Sequence, residues 1–290
     1  MRSHPELCTH FWLEEIKTAT DNFDESSIIG RGEFFDVHIG IIDGVDADGT
    51  ATTSAVAIKR LNRPSNSGVR KFLEKIEMLS KIKHLHLVSL IGYCHENGEM
   101  ILVYNYVAHG SLHDHLYNSE NYQLKWKQRL QICIGAAIGL NYLHTGNEYP
   151  IMHRHINSTN IMLDEKLVPK VSVGPTTEDF ERETYGVYYL GVVLFEVLFA
   201  KPGEQINLAK WAKFCYSKWT LEQHIDSNLH GQIAPECLSK FVETALACVR
   251  ERESERPSMI DVVRSLEMSM QLQEATGGRS PRPATSCFSE

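Results

Sequence analysis

At 290 residues the chain is long enough for one large or two modest globular domains. Hydrophobic residues make up 42% of it and charged residues 23%, which is the composition of an ordinary soluble protein. The formal net charge of -8 provides no general basic surface and argues against nucleic acid as a partner. Seven cysteines without a C-x-x-C pair or a metal-ligand spacing predict reduced thiols in the cytoplasm.

Strand-like segments dominate the first third of the chain. Helical spacing is predicted for residues 11–23 and about 68–82, and strands are predicted for residues 37–42, 55–61 and 100–104. Residues 43–50 are rich in Gly and Asp, which is typical of a hairpin connection.

After Gly110 the pattern is helical, with helices predicted at residues 125–144, 187–199, 238–250 and 259–272. The run 187–199 is the most hydrophobic, but it is well short of the ~20 residues that span a bilayer and contains Glu196. It therefore predicts a buried central helix, and no membrane span is expected. Residues 276–290 are rich in Gly, Ser, Pro and Arg and predict a disordered tail.

One short motif has the order of a kinase catalytic loop without its carboxylate. The stretch His153-Arg154-His155-Ile156-Asn157-Ser158-Thr159-Asn160 resembles H-R-D-x-x-x-x-N, whose aspartate accepts the proton of the substrate hydroxyl. His155 stands in place of that aspartate, whereas Arg154 and Asn160 keep the residue types of the motif.

Further stretches, in the right order, are similar to plant receptor-like kinase domains of the FERONIA and Pto type. They comprise residues 23–32, 56–59, 86–93, 128–137 and 255–259. The resemblance implies an α+β, two-lobed protein kinase fold with a small β-rich N-lobe, a larger helical C-lobe and a shortened activation segment. The expected organisation is a juxtamembrane-like segment at 1–22, the N-lobe at 23–107, the C-lobe at 108–275 and the tail at 276–290.

The resemblance assigns a glycine-rich loop to the start of the N-lobe. Gly30 and Gly32 match G-x-G-x-x-G-x-V, in which backbone N–H groups approach the phosphates of ATP. Phe35 replaces the third glycine and is expected to crowd the loop. Glu33 and Asp36 are expected to bring negative charge towards the phosphates.

Lys59 matches the strand lysine that holds the α- and β-phosphates, and Lys75 stands where its usual glutamate partner is expected. Two ammonium groups within ~4 Å would repel by roughly 4 kcal/mol at an effective dielectric near 20. One alternative is a register shift that pairs Lys59 with Glu74 or Glu77. Another is a solvated Lys75 on a helix that is swung outward.

The resemblance implies no intact magnesium site. Val173 stands for the metal-binding aspartate, and valine offers none of the oxygen ligands that magnesium needs. Asn160 is the one remaining residue with ligand character. Histidine pairs at positions 84/86, 113/115 and 153/155 lack a third ligand, so no other metal site is expected.

The activation segment is expected to be cut to about a dozen residues, 174–184, without its substrate platform. Arg154 and Arg256, which in relatives meet parts of that segment, are expected to lose those partners. Gly186 replaces a helix aspartate that in relatives supports the catalytic loop.

Some nucleotide-binding positions persist. Three apolar residues match the positions that enclose adenine, and three more match the gatekeeper and hinge; they are Val37, Ala57 and Met162, and Tyr104, Tyr106 and Val107. The cofactor implied is ATP, bound weakly if it binds.

The leading hypothesis is a pseudokinase that acts as a scaffold or decoy in plant receptor-kinase signalling and binds kinases or receptors of that class. The alternatives are a weakly active serine/threonine kinase using a carboxylate such as Asp164 or Asp179, and a truncated product that does not fold. The expected location is the cytoplasm, with peripheral association with the plasma membrane as an option. The four aromatic residues of segment 208–219 cannot share one helical face, so at least one is expected to be exposed.

Overall fold

The computed structural model describes most of the chain as two compact units. The described residues are 8–32, 35–45, 51–61, 68–118, 123–146, 151, 153, 156–173, 184–201 and 207–277. Of these, the first unit contains the residues up to His109 together with 162–165 and 170–173. The second unit contains the remainder.

The first unit is built on a six-stranded sheet with two helices. Its elements are β1 (Thr9–His10), α1 (Leu13–Ala19), β2 (Ile28–Gly32), β3 (Phe35–Val45), β4 (Ala51–Leu61), α2 (Gly68–Ser80), β5 (Leu90–Cys94) and β6 (Ile101–Asn105). The strand order is β1-β5-β6-β4-β3-β2. β1 pairs parallel with β5, and the other pairs are antiparallel.

The two faces of this sheet have different roles. Leu13 and Ile16 of α1 pack on a core that includes Val56, Ile58 and Val103. Because side chains alternate along a strand, Ala57 and Lys59 of β4 lie on the other face. The apolar packing of α1 thus fixes the sheet and leaves the Lys59 face for other contacts.

The second unit is helical. Its helices are α3 (Leu112–Tyr117), α4 (Trp126–Thr145), α5 (Thr184–Phe199), α6 (Leu208–Ser217), α7 (Pro235–Cys248) and α8 (Met259–Gly277). A two-stranded sheet of β7 (Ile161–Leu163) and β8 (Pro169–Val171) lies between α4 and α5 in the chain, and most of its residues belong to the first unit.

Helix α5 is the buried centre that its hydrophobicity predicts. Leu190, Leu194 and Phe195 have no exposed surface. A side chain at Gly191 would place its Cβ 2.6 Å from that of Cys248, so the glycine allows α5 and α7 to approach closely. No helix among the described residues is long and apolar enough to cross a bilayer.

A buried guanidinium connects three segments of this unit. Arg129 of α4 donates to a carboxylate oxygen of Asp226 at 2.6 Å, to the Val197 carbonyl at 2.8 Å and to the Leu124 carbonyl at 3.0 Å. The Val197 carbonyl is one of the last four of α5 and lacks an intrahelical partner. The backbone N–H of Asp226 also donates to the Leu198 carbonyl at 3.0 Å. The start of α4, the end of α5 and the segment at Asp226 are therefore held together by one charged cluster.

Most predicted elements are confirmed, with differences at their ends. The predicted strands correspond to β3, β4 and β6, and the helices after residue 67 correspond to α2, α4, α5, α7 and α8. The predicted helix at 11–23 is wrong in length, because α1 ends at Ala19. Asp21, Asn22 and Phe23 have positive φ values of 49°, 56° and 60°, which a helix does not accommodate.

The connection between β3 and β4 and the start of the C-terminal tail also differ from expectation. β3 extends to Val45 and β4 begins at Ala51, so only residues 46–50 of the expected hairpin connection remain, and they lie outside the described residues. The tail was expected to begin at Thr276, but α8 continues to Gly277. Residues 278–290 also lie outside the described part.

Six of the seven cysteines are described, and each is a free thiol. Burial raises the pKa of Cys133 and of Cys248 to about 12, so these two thiols stay protonated at neutral pH.

We expect Asp226→Ala to lower the free energy of unfolding by about 3–5 kcal/mol, because it leaves the buried Arg129 charge without its carboxylate. Urea unfolding followed by circular dichroism measures the change. Glu243→Ala is the matched control, since Glu243 forms an exposed ion pair with Lys240 at 3.1 Å and should change stability by less than about 1 kcal/mol. Equal effects of the two changes would contradict the role given to Arg129.

Candidate functional site

Four of the predicted nucleotide-binding residues share one face of the first unit's sheet. Val37 lies opposite Lys59 in the β3–β4 pair, and Ala57 lies opposite Tyr104 in the β4–β6 pair. Directly opposed residues point to the same face of an antiparallel sheet. The alternation of β4 therefore brings Val37, Ala57, Lys59 and Tyr104 together.

The side chain of Phe35 packs against Gly32 of the glycine-rich motif. Gly32 lies opposite Phe35 in the β2–β3 pair, and a Cβ at Gly32 would meet the Phe35 ring at 2.6 Å. Gly30 lies opposite Val37, whose Cβ is 3.8 Å from the corresponding point. The ring of Phe35 therefore uses the space that the missing Gly32 side chain leaves.

The same ring contacts Lys59. The ammonium nitrogen of Lys59 lies 3.4 Å from the centroid of the Phe35 ring, and the residue is only 8% exposed. A desolvated cation–π contact of this kind contributes about 2 kcal/mol. Burial lowers the pKa of Lys59 to about 8. The ammonium that the resemblance assigns to phosphate binding is thus already occupied by an aromatic face.

Lys75 of α2 is directed inward. Its ammonium nitrogen is buried without a hydrogen-bond partner in the structure. Burial, and secondly the charge of Lys59, lower the pKa of Lys75 to about 7. The solvated alternative for Lys75 is therefore wrong, and the two ammonium groups do repel each other.

The register-shifted alternative is wrong as well. Glu74 is exposed and pairs with Arg70 at 3.3 Å, and Glu77 pairs with Lys81 at 3.1 Å. Both carboxylates are used along the outer surface of α2, so neither replaces the missing partner of Lys59.

The expectation for Asp36 is also wrong. Asp36 lies opposite Arg60 in the β3–β4 pair, on the face of the sheet that carries His38 and not on the face of Lys59. Its charge affects the pKa of His38 and of Arg60. Glu33, the other acidic residue of the loop, lies outside the described residues.

The gatekeeper and hinge positions are occupied as follows. Tyr104 is buried, its hydroxyl has no hydrogen-bond partner in the structure, and burial raises its pKa. The backbone N–H of Tyr106 donates to the Ala55 carbonyl at 3.4 Å, and Val107 is buried. Met162 lies in β7 and is half-buried. Their roles in nucleotide binding stay predictions.

The position of the metal-binding aspartate is apolar and enclosed. Val173 is 3% exposed. It follows β8, which is held by hydrogen bonds from Val171 to the His86 carbonyl at 2.9 Å and from Val88 to the Val171 carbonyl at 3.0 Å. No oxygen ligand is therefore offered at this point, and the site does not fit a magnesium ion. Among the described residues no three His, Cys, Asp or Glu side chains are grouped as a metal site requires.

The catalytic-loop motif lies in the second unit. The amide oxygen of Asn160 accepts from the Asn157 N–H at 3.0 Å, and the Asn157 amide oxygen accepts from the N–H groups of Thr159 and Asn160 at 3.0 and 3.1 Å. This reciprocal capping holds the short helical turn before β7. Arg154 and His155 lie outside the described residues.

One neighbouring position lies close to this loop. Gly186 is buried, and a Cβ there would lie 3.3 Å from His144 Nε2 and 3.4 Å from the His153 carbonyl oxygen.

Arg256, which was expected to lose its partner, has other contacts. It donates to the Arg250 carbonyl at 2.9 Å and stacks on the Tyr188 ring at 4.9 Å. The arginine therefore keeps contacts within its own unit.

The contact between Phe35 and Lys59 was missed from the sequence, although a signal existed. The two residues are diagonal neighbours across β3 and β4, since Val37 opposes Lys59 and Phe35 opposes Leu61. Aromatic and long side chains reach across such diagonals.

We expect Lys75→Met to raise the free energy of unfolding at neutral pH by about 1–3 kcal/mol, because it removes a buried, unpaired polar group. Folding lowers the pKa of Lys75 from 10.5 to about 7, so the unfolded chain binds more protons between these values and stability rises with pH across that window. The difference in stability between Lys75→Met and the wild type should therefore shrink from the lower to the upper end of the window. Urea unfolding at both ends measures it.

Lys81→Met is the control, since Lys81 is an exposed lysine directly after the end of α2. A difference between Lys75→Met and the wild type that does not change with pH would show that Lys75 keeps an ordinary pKa.

Comparison with known proteins places the chain in a family. The family model for protein tyrosine and serine/threonine kinases matches residues 23–185. The receptor-like protein kinase FERONIA of Arabidopsis thaliana is 51% identical over 93% of this chain and 33% of that protein. ANXUR2 of the same plant is 48% identical over 95% of this chain and 35% of that protein. The chain spans about a third of the length of these curated relatives.

Solved structures agree in fold. The pseudokinase domain of BIR2, described as an immune regulator of the RLK/Pelle family, is 30% identical, with a TM-score of 0.74, and the match covers 92% of this chain and 87% of that one. Another pseudokinase, solved in its apo form, has a TM-score of 0.75 at 24% identity, covers 92% of this chain and 99% of that one, and bears on the fold alone. The two-lobed α+β kinase fold and the resemblance to FERONIA-type receptor-like kinases are thus confirmed, and the chain belongs to the protein tyrosine and serine/threonine kinase family.

Proposed function

We propose that this kinase-like domain is a pseudokinase that binds kinases or receptors in plant receptor-kinase signalling and does not catalyse efficient phosphoryl transfer. The observation that carries the proposal is the environment of Lys59. Its ammonium lies on the Phe35 ring at 3.4 Å, and the nearby residue of α2 is a buried lysine in place of a glutamate.

ATP binding is disfavoured by this arrangement. Phosphates that reach Lys59 must displace the Phe35 ring and lose a contact of about 2 kcal/mol, which corresponds to roughly 30-fold in affinity. Without a glutamate, Lys59 also lacks the ion pair that positions it in active kinases. ATP is therefore a weak ligand in this proposal.

The chemical step is disfavoured independently. Magnesium ions neutralise charge on the transferred phosphoryl group, and Val173 offers them no oxygen. The amide oxygen of Asn160 already accepts a backbone hydrogen bond from Asn157. His155 stands in place of the carboxylate that accepts the proton of the substrate hydroxyl in the kinase motif.

The alternative of a weakly active serine/threonine kinase requires another carboxylate. Asp164 lies 3.9 Å from the Lys170 ammonium, in the same stretch of chain as Val173. Asp179 lies outside the described residues. The binding role is favoured, in addition, by the likeness to BIR2, a pseudokinase described as an immune regulator.

We expect ATP to bind weakly, with an affinity that magnesium does not change, and we expect Phe35→Gly to tighten binding by roughly 30-fold because the ring no longer competes for Lys59. Isothermal titration calorimetry with and without magnesium measures both. Adding Lys59→Met to Phe35→Gly should cancel the gain. Tight, magnesium-dependent binding to the wild type, or no gain in Phe35→Gly, would refute this account of the site.

The binding role and the lack of catalysis are separated by Lys59→Met. We expect the wild type and Lys59→Met to show the same absence of autophosphorylation. We also expect both to be captured equally by the immobilised kinase domain of a FERONIA-type relative, with or without ATP, because neither result depends on the phosphate-binding lysine. Phosphate incorporation by the wild type that Lys59→Met abolishes would establish the weakly active kinase instead. Capture that requires ATP and Lys59 would argue against nucleotide-independent binding.

A further inference from the structure

Helix α6 and the turn after it expose three large aromatic side chains. Phe214 is 59% exposed, Tyr216 51% and Trp219 90%. The fourth aromatic residue of the segment, Trp211, packs inward between the rings of Phe199 at 5.2 Å and His224 at 4.9 Å. The expectation of at least one exposed aromatic residue is confirmed, and three of the four are exposed.

The exposed side chains stand on a fixed support. Leu208, Ala209, Ala212 and Cys215 are buried and hold α6 in the second unit. The turn after the helix is closed by hydrogen bonds from Trp219 to the Tyr216 carbonyl at 3.1 Å and from Thr220 to the Cys215 carbonyl at 3.0 Å.

The aromatic rings are arranged close to one another and to lysines. The rings of Tyr216 and Trp219 stack with centroids 6.5 Å apart, and the Lys218 ammonium lies 5.9 Å from the Phe214 ring. Lys210 and Lys213 precede Phe214 in α6 by four residues and by one residue, and each is at least partly exposed. We call these six residues the aromatic–lysine surface: Lys210, Lys213, Phe214, Tyr216, Lys218 and Trp219.

Its charge is opposite to that of the chain. Residues 207–221 contain three lysines and no aspartate or glutamate, whereas the whole chain has a formal net charge of -8. A local positive field on an acidic protein selects an anionic partner.

We propose that the aromatic–lysine surface binds the headgroup region of an anionic lipid bilayer. Tryptophan and tyrosine favour the bilayer interface, where an apolar ring and a polar tip are both accommodated. Lysines add attraction to anionic headgroups. Interfaces between proteins are enriched in aromatic residues but depleted in lysine, so it is the three lysines that favour a lipid surface over a protein partner. The occupant is thus a lipid surface and not an acidic protein.

Vesicle sedimentation tests the charge dependence. The full chain is expected to bind vesicles of phosphatidylcholine with phosphatidylserine, to bind phosphatidylcholine alone much less, and to be released by salt. The triple variant Lys210→Gln, Lys213→Gln and Lys218→Gln should lower the partition coefficient by about 100-fold, at about fivefold per lysine. The matched control changes three exposed lysines elsewhere, Lys71, Lys81 and Lys127, to glutamine and should have little effect.

Tryptophan fluorescence tests the orientation. Binding to the anionic vesicles should shift the emission to the blue, and Trp219→Phe should remove most of that shift. Trp12→Phe should leave it in place, although Trp12 is also 63% exposed, because Trp12 is not part of the aromatic–lysine surface.

Three results would overturn the proposal: equal binding to neutral and anionic vesicles, equal loss in the two lysine variants, or a blue shift that persists in Trp219→Phe. Binding of poly-glutamate through these lysines without binding of vesicles would assign the surface to an acidic protein partner instead.

Discussion

The helical unit depends on the buried guanidinium of Arg129, which is bonded to Asp226, to the end of α5 and to the start of α4. A buried charge tolerates little displacement of its partners, since each lost bond leaves an uncompensated group. In relatives an additional anchor is expected between Arg256 and the activation segment. Here Arg256 donates to the Arg250 carbonyl and stacks on the ring of Tyr188. The packing around α5 is therefore stabilised by the bonds of Arg129, which do not involve the predicted short activation segment.

The sheet of the first unit shows how the lysine that the resemblance assigns to phosphate binding is stabilised by a contact with an aromatic ring. A buried ammonium needs compensating electron density, and the Phe35 ring supplies it without a charge. Lys75 works against this arrangement through its own charge. With a pKa of about 7, however, Lys75 is uncharged in a large share of molecules at neutral pH, which relieves the repulsion. Lys59 thus has a structural environment that needs neither nucleotide nor metal.

The sequence was sufficient for the fold and for placing Val37, Ala57 and Lys59 on one face of the sheet, because motif order and hydrophobic spacing are local properties. The sequence-based prediction was wrong about two charged residues whose roles depend on the direction in which their side chains point. Strand alternation places Asp36, next to Val37, on the face away from Lys59. Helical spacing also places Lys75 between Phe72 and Leu79, on the buried side of α2. Strand alternation and helical spacing thus indicated both directions, but Lys75 was expected to be solvated and Asp36 to lie near the phosphates. The diagonal spacing of Phe35 and Lys59 likewise indicated that they could meet, but the rotamer that places the Phe35 ring in the space at Gly32 is not encoded by spacing.

The candidate nucleotide face and the aromatic–lysine surface lie in different units, so changes in one do not require changes in the other. Packing of α6 is already supplied by its buried residues and by Trp211, and the three exposed aromatic side chains add nothing to that core. A single exposed aromatic residue needs no explanation in a soluble protein. Three exposed aromatic residues within residues 214–219, among three lysines and without a carboxylate in residues 207–221, are a concentration of the kind that marks an interaction site. Losing phosphoryl transfer would leave this patch intact, because its geometry depends on α6 and not on Lys59.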